Sequence, residues 1–121
     1  MPTVRYLVDD VDAALVFYGL LGFADAVRMG PPFARVSRDG LTLWLSGPGT
    51  SAARPMPNGD QPSPGGWNRL VIETEDIEAL AERLRAAGVR FRNEIISGPG
   101  GRQVLVEDPS GNPIELFQAG G

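Results

Sequence analysis

Hydrophobic positions follow two different periods along this 121-residue chain. Short runs rich in β-branched residues, at 4–8 and 70–74, predict β-strands. Each run is followed by apolar residues spaced as on one face of a helix, which predicts helices over about 11–21 and 77–87. The two apolar stripes consist of Val11, Ala14, Leu15, Tyr18 and Leu21, and of Ile77, Leu80, Ala81, Leu84 and Ala87.

The ends of the two predicted helices carry the same signals. Asp10 and Asp76 precede the stripes, where an aspartate carboxylate caps the free N–H groups of a first helical turn. Gly22 and Gly88 follow the stripes, where glycine readily adopts the left-handed conformation that ends a helix. Both pairs are separated by 66 positions. The chain therefore contains an internal repeat.

The remainder of each half also corresponds. A strand is predicted after each helix, near 23–29 and 90–96. A hairpin follows in each half, over 33–46 around Asp39-Gly40 and over 104–118 around the turn 109–112. The prediction is an α+β fold of two βαβββ modules within a single domain, 1–121, with module 1 at about 1–46 and module 2 at about 67–119. Residues 47–66 contain five glycines and five prolines and predict a loop without regular structure, which is either a linker or a lid.

Composition excludes several chemistries. The chain has no cysteine, histidine or lysine, and all 11 basic residues are arginine. Thiolate and imidazole catalysis, Schiff-base chemistry and metal sites built on Cys or His are therefore excluded. The net charge of −4 argues against nucleic acid as a partner. No apolar run is long enough for a membrane span, and no secretion signal is visible, so we expect a cytoplasmic protein without membrane contact.

Three segments carry a resemblance to a known family. They are Val8-Asp9-Asp10 leading into Phe17-Tyr18, then Leu21-Gly22-Phe23, and the closing run from Asp108 through Asn112 to Leu116. The chain resembles the vicinal oxygen chelate superfamily of glyoxalase, bleomycin-resistance and extradiol-dioxygenase proteins. The resemblance implies mixed sheets curled around a cleft, and a homodimer.

The resemblance also implies four positions where metal-using members keep their ligands. They fall here on Thr3, Trp44, Arg69 and Glu115. Tryptophan supplies no metal ligand, threonine is a poor one, and an arginine at such a position repels a cation. We therefore expect no catalytic metal and no cofactor.

Strand alternation adds neighbours to these four positions. Arg5 shares a face with Thr3, Glu73 with Arg69, and Phe117 with Glu115, while Trp67 lies at the end of the loop. In one interpretation Arg69 and Glu115 pair with each other and Trp44 merely fills space. In the other, these residues form a ligand-binding pocket with an aromatic wall and charged groups. Trp67 is either a second wall or a surface anchor.

Two functional hypotheses follow. The first is a protein that binds or sequesters a small organic molecule without metal and without catalysis. The second is a metal-independent isomerase, cyclase or lyase with Glu115 or Glu73 as general acid or base. A metal-dependent lyase or dioxygenase is the least favoured. Glu115 favours a cationic ligand only where Arg69 does not already neutralise its carboxylate.

Overall fold

The computed structural model describes residues 2–120, and the chain divides into two compact units, Met1–Gly65 and Gly66–Gly121. Both units mix helix and sheet, as the α+β prediction requires. Unit 1 contains, in chain order, β1 (Thr3–Leu7), α1 (Val11–Leu20), β2 (Ala24–Arg28), β3 (Phe33–Arg38) and β4 (Leu41–Ser46). Unit 2 contains β5 (Leu70–Glu73), α2 (Ile77–Ala86), β6 (Arg90–Phe91), β7 (Ile96–Gly98), β8 (Gly101–Glu107) and β9 (Pro113–Ala119).

The two helices begin at the residues that the repeat predicts, and they end at Leu20 and Ala86, one residue before the predicted ends. The carboxylates of Asp10 and Asp76 accept hydrogen bonds from the backbone N–H groups three residues on, at 3.1 and 3.0 Å. Gly22 and Gly88 have φ angles of +86° and +82°, which glycine adopts at little cost. Each helix has ten residues, and within residues 2–120 no helix is long and apolar enough to cross a membrane.

Each helix packs one apolar face on its sheet. In α1 the predicted stripe is buried except for Leu15, which is half-buried, and Phe17 joins the core instead. The Phe17 ring lies edge-on to Tyr18 with centroids 4.9 Å apart, which explains its burial. In α2 the stripe is buried as far as Leu84, whereas Ala87 is exposed because the helix has already ended.

Sheet A of unit 1 has the strand order β1-β4-β3-β2. β1 runs parallel to β4, and the other pairs are antiparallel. The β3–β4 hairpin turns at Asp39 and Gly40, whose φ angles of +49° and +82° are those of a tight type I′ turn. This turn pairs Arg38 with Leu41 and so sets the register of the whole hairpin.

Sheet B of unit 2 has the order β5-β9-β8-β6, with β7 also pairing with β8. The single strand predicted near 90–96 is wrong, because two short strands replace it. Phe91 pairs with Val106, and Ile96 pairs with Gln103. The chain therefore advances five residues from β6 to β7 while β8 advances only three. Two extra residues therefore bulge out of the ladder. The Asn93 side chain accepts the Leu105 N–H at 2.9 Å, a bond that a regular ladder gives to a backbone carbonyl.

The Pro/Gly-rich segment after β4 is more ordered than predicted. Ser51–Ala53 form one 3₁₀ turn, so the expectation of no regular element is wrong. Thr50 anchors this turn through its hydroxyl, which donates to the Gly47 carbonyl at 2.8 Å. Further along, the Gln61 amide donates to the Ala53 carbonyl at 2.8 Å. Short-range side-chain bonds thus replace the regular ladder that the prolines prevent.

The Asp108–Asn112 turn, which carries the most specific part of the sequence resemblance, is held by one buried carboxylate. Asp108 is 1% exposed. Its Oδ1 accepts the backbone N–H groups of Ser110 and Asn112, and its Oδ2 accepts the Asn112 amide, all at 2.9 Å. Gly111 has a φ angle of +86°. The motif therefore fixes the turn that places β9 against β8.

Replacement of Asp108 tests this role. We expect Asp108→Ala to lower the free energy of unfolding by about 3 kcal/mol, because buried donors lose their charged acceptor. Asp108→Asn keeps one acceptor oxygen and should lose less. Urea denaturation measures both values, and Glu82→Ala, an exposed change on α2, is the control. Equal stability of the Asp108→Ala and control variants would contradict the assignment.

Candidate functional site

Sheet A packs one face on α1, and the residues of its opposite face are half-buried or exposed, except for the buried Ser46. Alternate residues of β3 and β4, such as Val36, Leu43 and Leu45, point toward α1 and are at most 3% exposed. The intervening residues form the opposite face, which we call the open face of unit 1. Its central members, from β1, β4 and β3, are Thr3, Arg5, Leu7, Thr42, Trp44, Ser46, Phe33, Arg35 and Ser37.

Trp44 lies in the middle of this open face, on the inner strand β4. The Arg5 guanidinium carbon lies 4.9 Å from the centroid of its ring, a cation–π contact. The Phe33 ring meets the indole edge-on at 5.8 Å. Arg5 is held in turn by a hydrogen bond from its Nη1 to the Ser46 hydroxyl at 3.2 Å. The indole is therefore fixed on two sides yet remains half-buried rather than enclosed.

Arg35 is a site residue that the sequence analysis missed. It pairs with Trp44 across the β3–β4 hairpin, on the side opposite to Arg5. Directly paired side chains lie about 5 Å apart at Cβ, so the arginine borders the indole. The signal was present in the sequence: a two-residue turn at Asp39-Gly40 pairs residues whose numbers sum to 79, such as 35 and 44.

A pocket of about 280 Å³ lies beside the open face, where the loop after β4 returns toward β1. Leu7 and Ser46 form its floor, and they pair with each other two residues along from Arg5 and Trp44. The loop contributes 47–49, Ala53 and 61–64 to the walls. The polar Ser46 hydroxyl links this pocket to Arg5 and hence to Trp44.

Thr3 stands at the other end of the same face. It is exposed and pairs with Thr42 of β4. The short hydroxyl side chains of this row extend the open face past Trp44 without adding charge.

In unit 2, Arg69 and Glu115 form an ion pair. Nε and Nη2 of Arg69 both donate to Oε1 of Glu115, at 3.1 and 2.9 Å. The Glu115 side chain is 11% exposed and the Arg69 side chain 28%. Arg69 Nη1 also reaches the Trp67 carbonyl at 3.3 Å. Arg69 therefore neutralises the Glu115 carboxylate within unit 2. The expectation of a cationic ligand required an unpaired Glu115, so this residue no longer supports it.

Glu73 and Phe117 share the Glu115 face of sheet B. Phe117 pairs with Glu73 on β5 and Gln103 on β8, and its side chain is half-buried. Glu73 is exposed and lines a shallow pocket of about 370 Å³ with Thr74, Glu75, Gln118 and Ala119.

Trp67 lies on the surface of unit 2 and is 68% exposed. Its ring packs on the Arg92 guanidinium, with the guanidinium carbon 4.6 Å from the centroid. Arg92 is itself bound to Glu107 at 2.7 Å and to the carbonyls of Gly66 and Gly111 at 2.9 and 3.0 Å. An internal arginine thus anchors the ring, and its outer face is open to solvent.

The sequence profile of the Glyoxalase/Bleomycin resistance protein/Dioxygenase superfamily matches residues 1–116. The chain belongs to this superfamily. The features of the structure that correspond to this membership are the turn around Asp108 and the two βαβββ-like units.

Relatives and solved structures agree with this membership. An uncharacterized protein of Mycolicibacterium smegmatis is 31% identical over 115 residues, covering 90% of this chain and 84% of the relative. A superfamily member from Sphaerobacter thermophilus is 28% identical with a TM-score of 0.75, covering 98% and 95% of the two chains. TnmS3, an antibiotic binding protein from a Streptomyces species, is also 28% identical, with a TM-score of 0.71 and coverage of 98% and 93%.

The four residues that the sequence resemblance assigns to metal-ligand positions do not fit a divalent cation. Glu115 is the only carboxylate among the four, and it already accepts two hydrogen bonds from the permanently charged Arg69. Trp44 offers the metal no donor atom. Within residues 2–120, no three Asp, Glu, His or Cys side chains converge as a metal site requires.

The Arg69–Glu115 pair yields a stability prediction. Arg69→Met leaves a mostly buried carboxylate without its partner, so we expect it to cost about 2 kcal/mol of unfolding free energy. Adding Glu115→Leu removes the isolated charge and should restore most of that loss. Urea denaturation of the single and double variants measures both steps. Arg83→Met, an exposed control on α2, should change stability by less than about 0.5 kcal/mol. If Arg69→Met does not lower the free energy of unfolding, the Arg69–Glu115 ion pair does not stabilise the protein and the prediction is wrong.

Metal content is the second prediction from this site. We expect the protein, purified without chelator, to contain far less than one equivalent of zinc, nickel, manganese or iron. Inductively coupled plasma mass spectrometry measures this, with bovine carbonic anhydrase as a positive control. About one metal per chain would show that the Arg69–Glu115 pair opens to admit a cation.

Proposed function

We propose that this superfamily member binds a small organic molecule on the open face of unit 1, without metal, and sequesters it rather than transforming it. The observation that carries this proposal is the half-buried indole of Trp44, fixed between Arg5 and Phe33 with part of its surface uncovered. A fixed aromatic ring binds a planar ligand with little loss of side-chain entropy.

The neighbouring pocket supports the proposal. It is lined by Leu7 and Ser46, the pair two residues along from Arg5 and Trp44, and by residues of the proline-rich loop. Burial of a ligand's second edge there adds apolar area at roughly 25 cal/mol per Å². In this proposal the loop serves as a cover for the ligand as well as a connection. The 28% identical TnmS3, an antibiotic binding protein, is consistent with such a role.

The enzyme hypothesis receives less support from the geometry. A general base needs a carboxylate that is directed at the substrate and not neutralised. Arg69 neutralises Glu115, and Glu73 lies exposed at the end of β5. No observation on these two residues favours catalysis over binding.

Ligand binding at Trp44 is directly testable. A library of fused-ring aromatic compounds would be screened by thermal shift, and the hits titrated by calorimetry against wild type, Trp44→Ala, Trp44→Phe and Trp67→Ala. We expect Trp44→Ala to weaken binding ten-fold or more, about 1.4 kcal/mol, because stacking and apolar contact are lost. Trp44→Phe should retain most of the affinity.

Trp67→Ala is the matched comparison, since it removes an exposed tryptophan from the other unit. It should change the dissociation constant less than two-fold. Equal affinity of wild type and Trp44→Ala for every hit would refute the proposal and leave Trp44 as a residue that fills space on the sheet.

We also propose that the protein is a homodimer. All five residues of the edge strand β2 are exposed, including Val27, and Met29 just beyond it is 59% exposed. An open strand edge with apolar side chains is a surface that a second chain commonly covers. Light scattering coupled to size exclusion should give a mass near 26 kDa, twice that of the 12.9 kDa chain, at micromolar concentration. A mass of one chain would exclude the dimer.

A further inference from the structure

The arginines around Trp44 define the charge of the ligand. Resting on the proposed function of the open face, we propose that this face selects a planar aromatic anion, with the ring on Trp44 and the acidic group between Arg5 and Arg35.

The strands of this face contain cations but no acids. The sequences of β1, β3 and β4 are TVRYL, FARVSR and LTLWLS, without aspartate or glutamate. Arg38 lies on the opposite side of β3 and pairs with Asp39 at the turn. Arg5 and Arg35 are thus the charged side chains that β1 and β3 contribute to the open face.

Neither arginine has a carboxylate partner among residues 2–120. Arg5 binds the neutral Ser46 hydroxyl and the Trp44 ring, and Arg35 is exposed without an ion pair. In contrast, Arg28, Arg69, Arg90, Arg92 and Arg102 each lie within 4.0 Å of an acidic oxygen. Although the net charge of the chain is −4, two guanidinium groups thus lie on either side of one indole with no ion pair to an acidic side chain in the described part of the chain.

The spacing of the two arginines suits an aromatic acid. β1 and β3 flank β4, so the backbones of Arg5 and Arg35 lie about 10 Å apart, two strand spacings. Long flexible arginine side chains reach inward from that separation to a carboxylate or sulfonate above the ring of Trp44. Guanidinium groups bind such oxyanions through paired hydrogen bonds.

The pocket beside the open face includes one carboxylate, that of Asp9. Asp9 is exposed to solvent. It lies four residues along the chain from Arg5, about 13 Å of extended backbone. The charged groups beside a ring bound on Trp44 are therefore Arg5 and Arg35. Their positive charge disfavours a cationic ligand at this position.

Three probes with one ring system test this charge preference: 2-naphthoate, 2-naphthamide and 2-naphthylmethylammonium. Each is titrated into isotopically labelled protein, and binding is followed at the Trp44 indole N–H resonance by NMR. Trp44→Phe assigns that resonance, and the Trp67 resonance is the internal reference. We expect 2-naphthoate to bind at least ten-fold more tightly than the amide, and the ammonium probe to bind most weakly. Raising the salt concentration should reduce the preference.

Charge variants attribute the preference to the two arginines. Arg5→Gln and Arg35→Gln should each reduce the ratio of naphthoate to amide affinity about three-fold or more, and the double variant should bring it near one. Arg5→Lys and Arg35→Lys should recover part of the ratio, which separates charge from packing. Arg83→Gln, an exposed control on α2, should leave the ratio unchanged.

The outcomes separate the inference from the proposed function. If the amide or ammonium probe binds as tightly as naphthoate, and calorimetry shows that Trp44→Ala abolishes binding of all three, the proposed site stands and anion selection is refuted. If naphthoate is preferred but the glutamine variants keep the preference, the assignment to Arg5 and Arg35 is refuted. If no probe moves the Trp44 resonance at millimolar concentration, both proposals fail.

Discussion

In each unit the first strand runs parallel to the last strand, and this pairing determines which side chains meet on the face of the sheet opposite the helix. β1 lies against β4, which sets Arg5 beside Trp44, and β5 lies against β9, which sets Val71 beside Glu115. A parallel pair needs a crossover, which α1 and α2 provide on the opposite side of each sheet. Burial of the helix-facing residues fixes the register, because a slip of one residue would expose the core and bury charge.

The two units use this common frame for different purposes. Trp44 and Glu115 occupy corresponding places: each lies on the last strand, opposite a residue of the first strand, and Arg5 and Val71 are related by the 66-residue repeat. In unit 1 the position holds an uncharged ring with arginines around it. In unit 2 it holds a carboxylate closed by Arg69. The same arrangement of strands thus presents a half-buried indole in unit 1 and an Arg69–Glu115 ion pair in unit 2.

Arginine accounts for much of the internal organisation because it is the only basic side chain in the chain. Its planar group both binds carboxylates and stacks on aromatic rings. Arg92 does both at once, binding Glu107 while supporting the Trp67 ring, and Arg5 supports Trp44 without any acid. The two arginines differ in their hydrogen-bond partners: Arg92 binds a carboxylate, whereas Arg5 binds the neutral Ser46 hydroxyl.

The sequence by itself determined the helices, the hairpin register and the family, since those features depend on local signals. A capping aspartate, a stop glycine and an Asp-Gly turn act on their immediate neighbours, and the Asp108 motif closes its own turn. Even the pairing of Arg35 with Trp44 follows from that turn. Tertiary structure decided the rest. The bulge between β6 and β7, the closure of Glu115 by Arg69, and the support of Trp67 by Arg92 join residues 12 to 46 positions apart. Which arginine binds which acidic or aromatic side chain depends on the distances between them in the folded chain. A local sequence pattern does not contain those distances, and any of eleven arginines could be the partner.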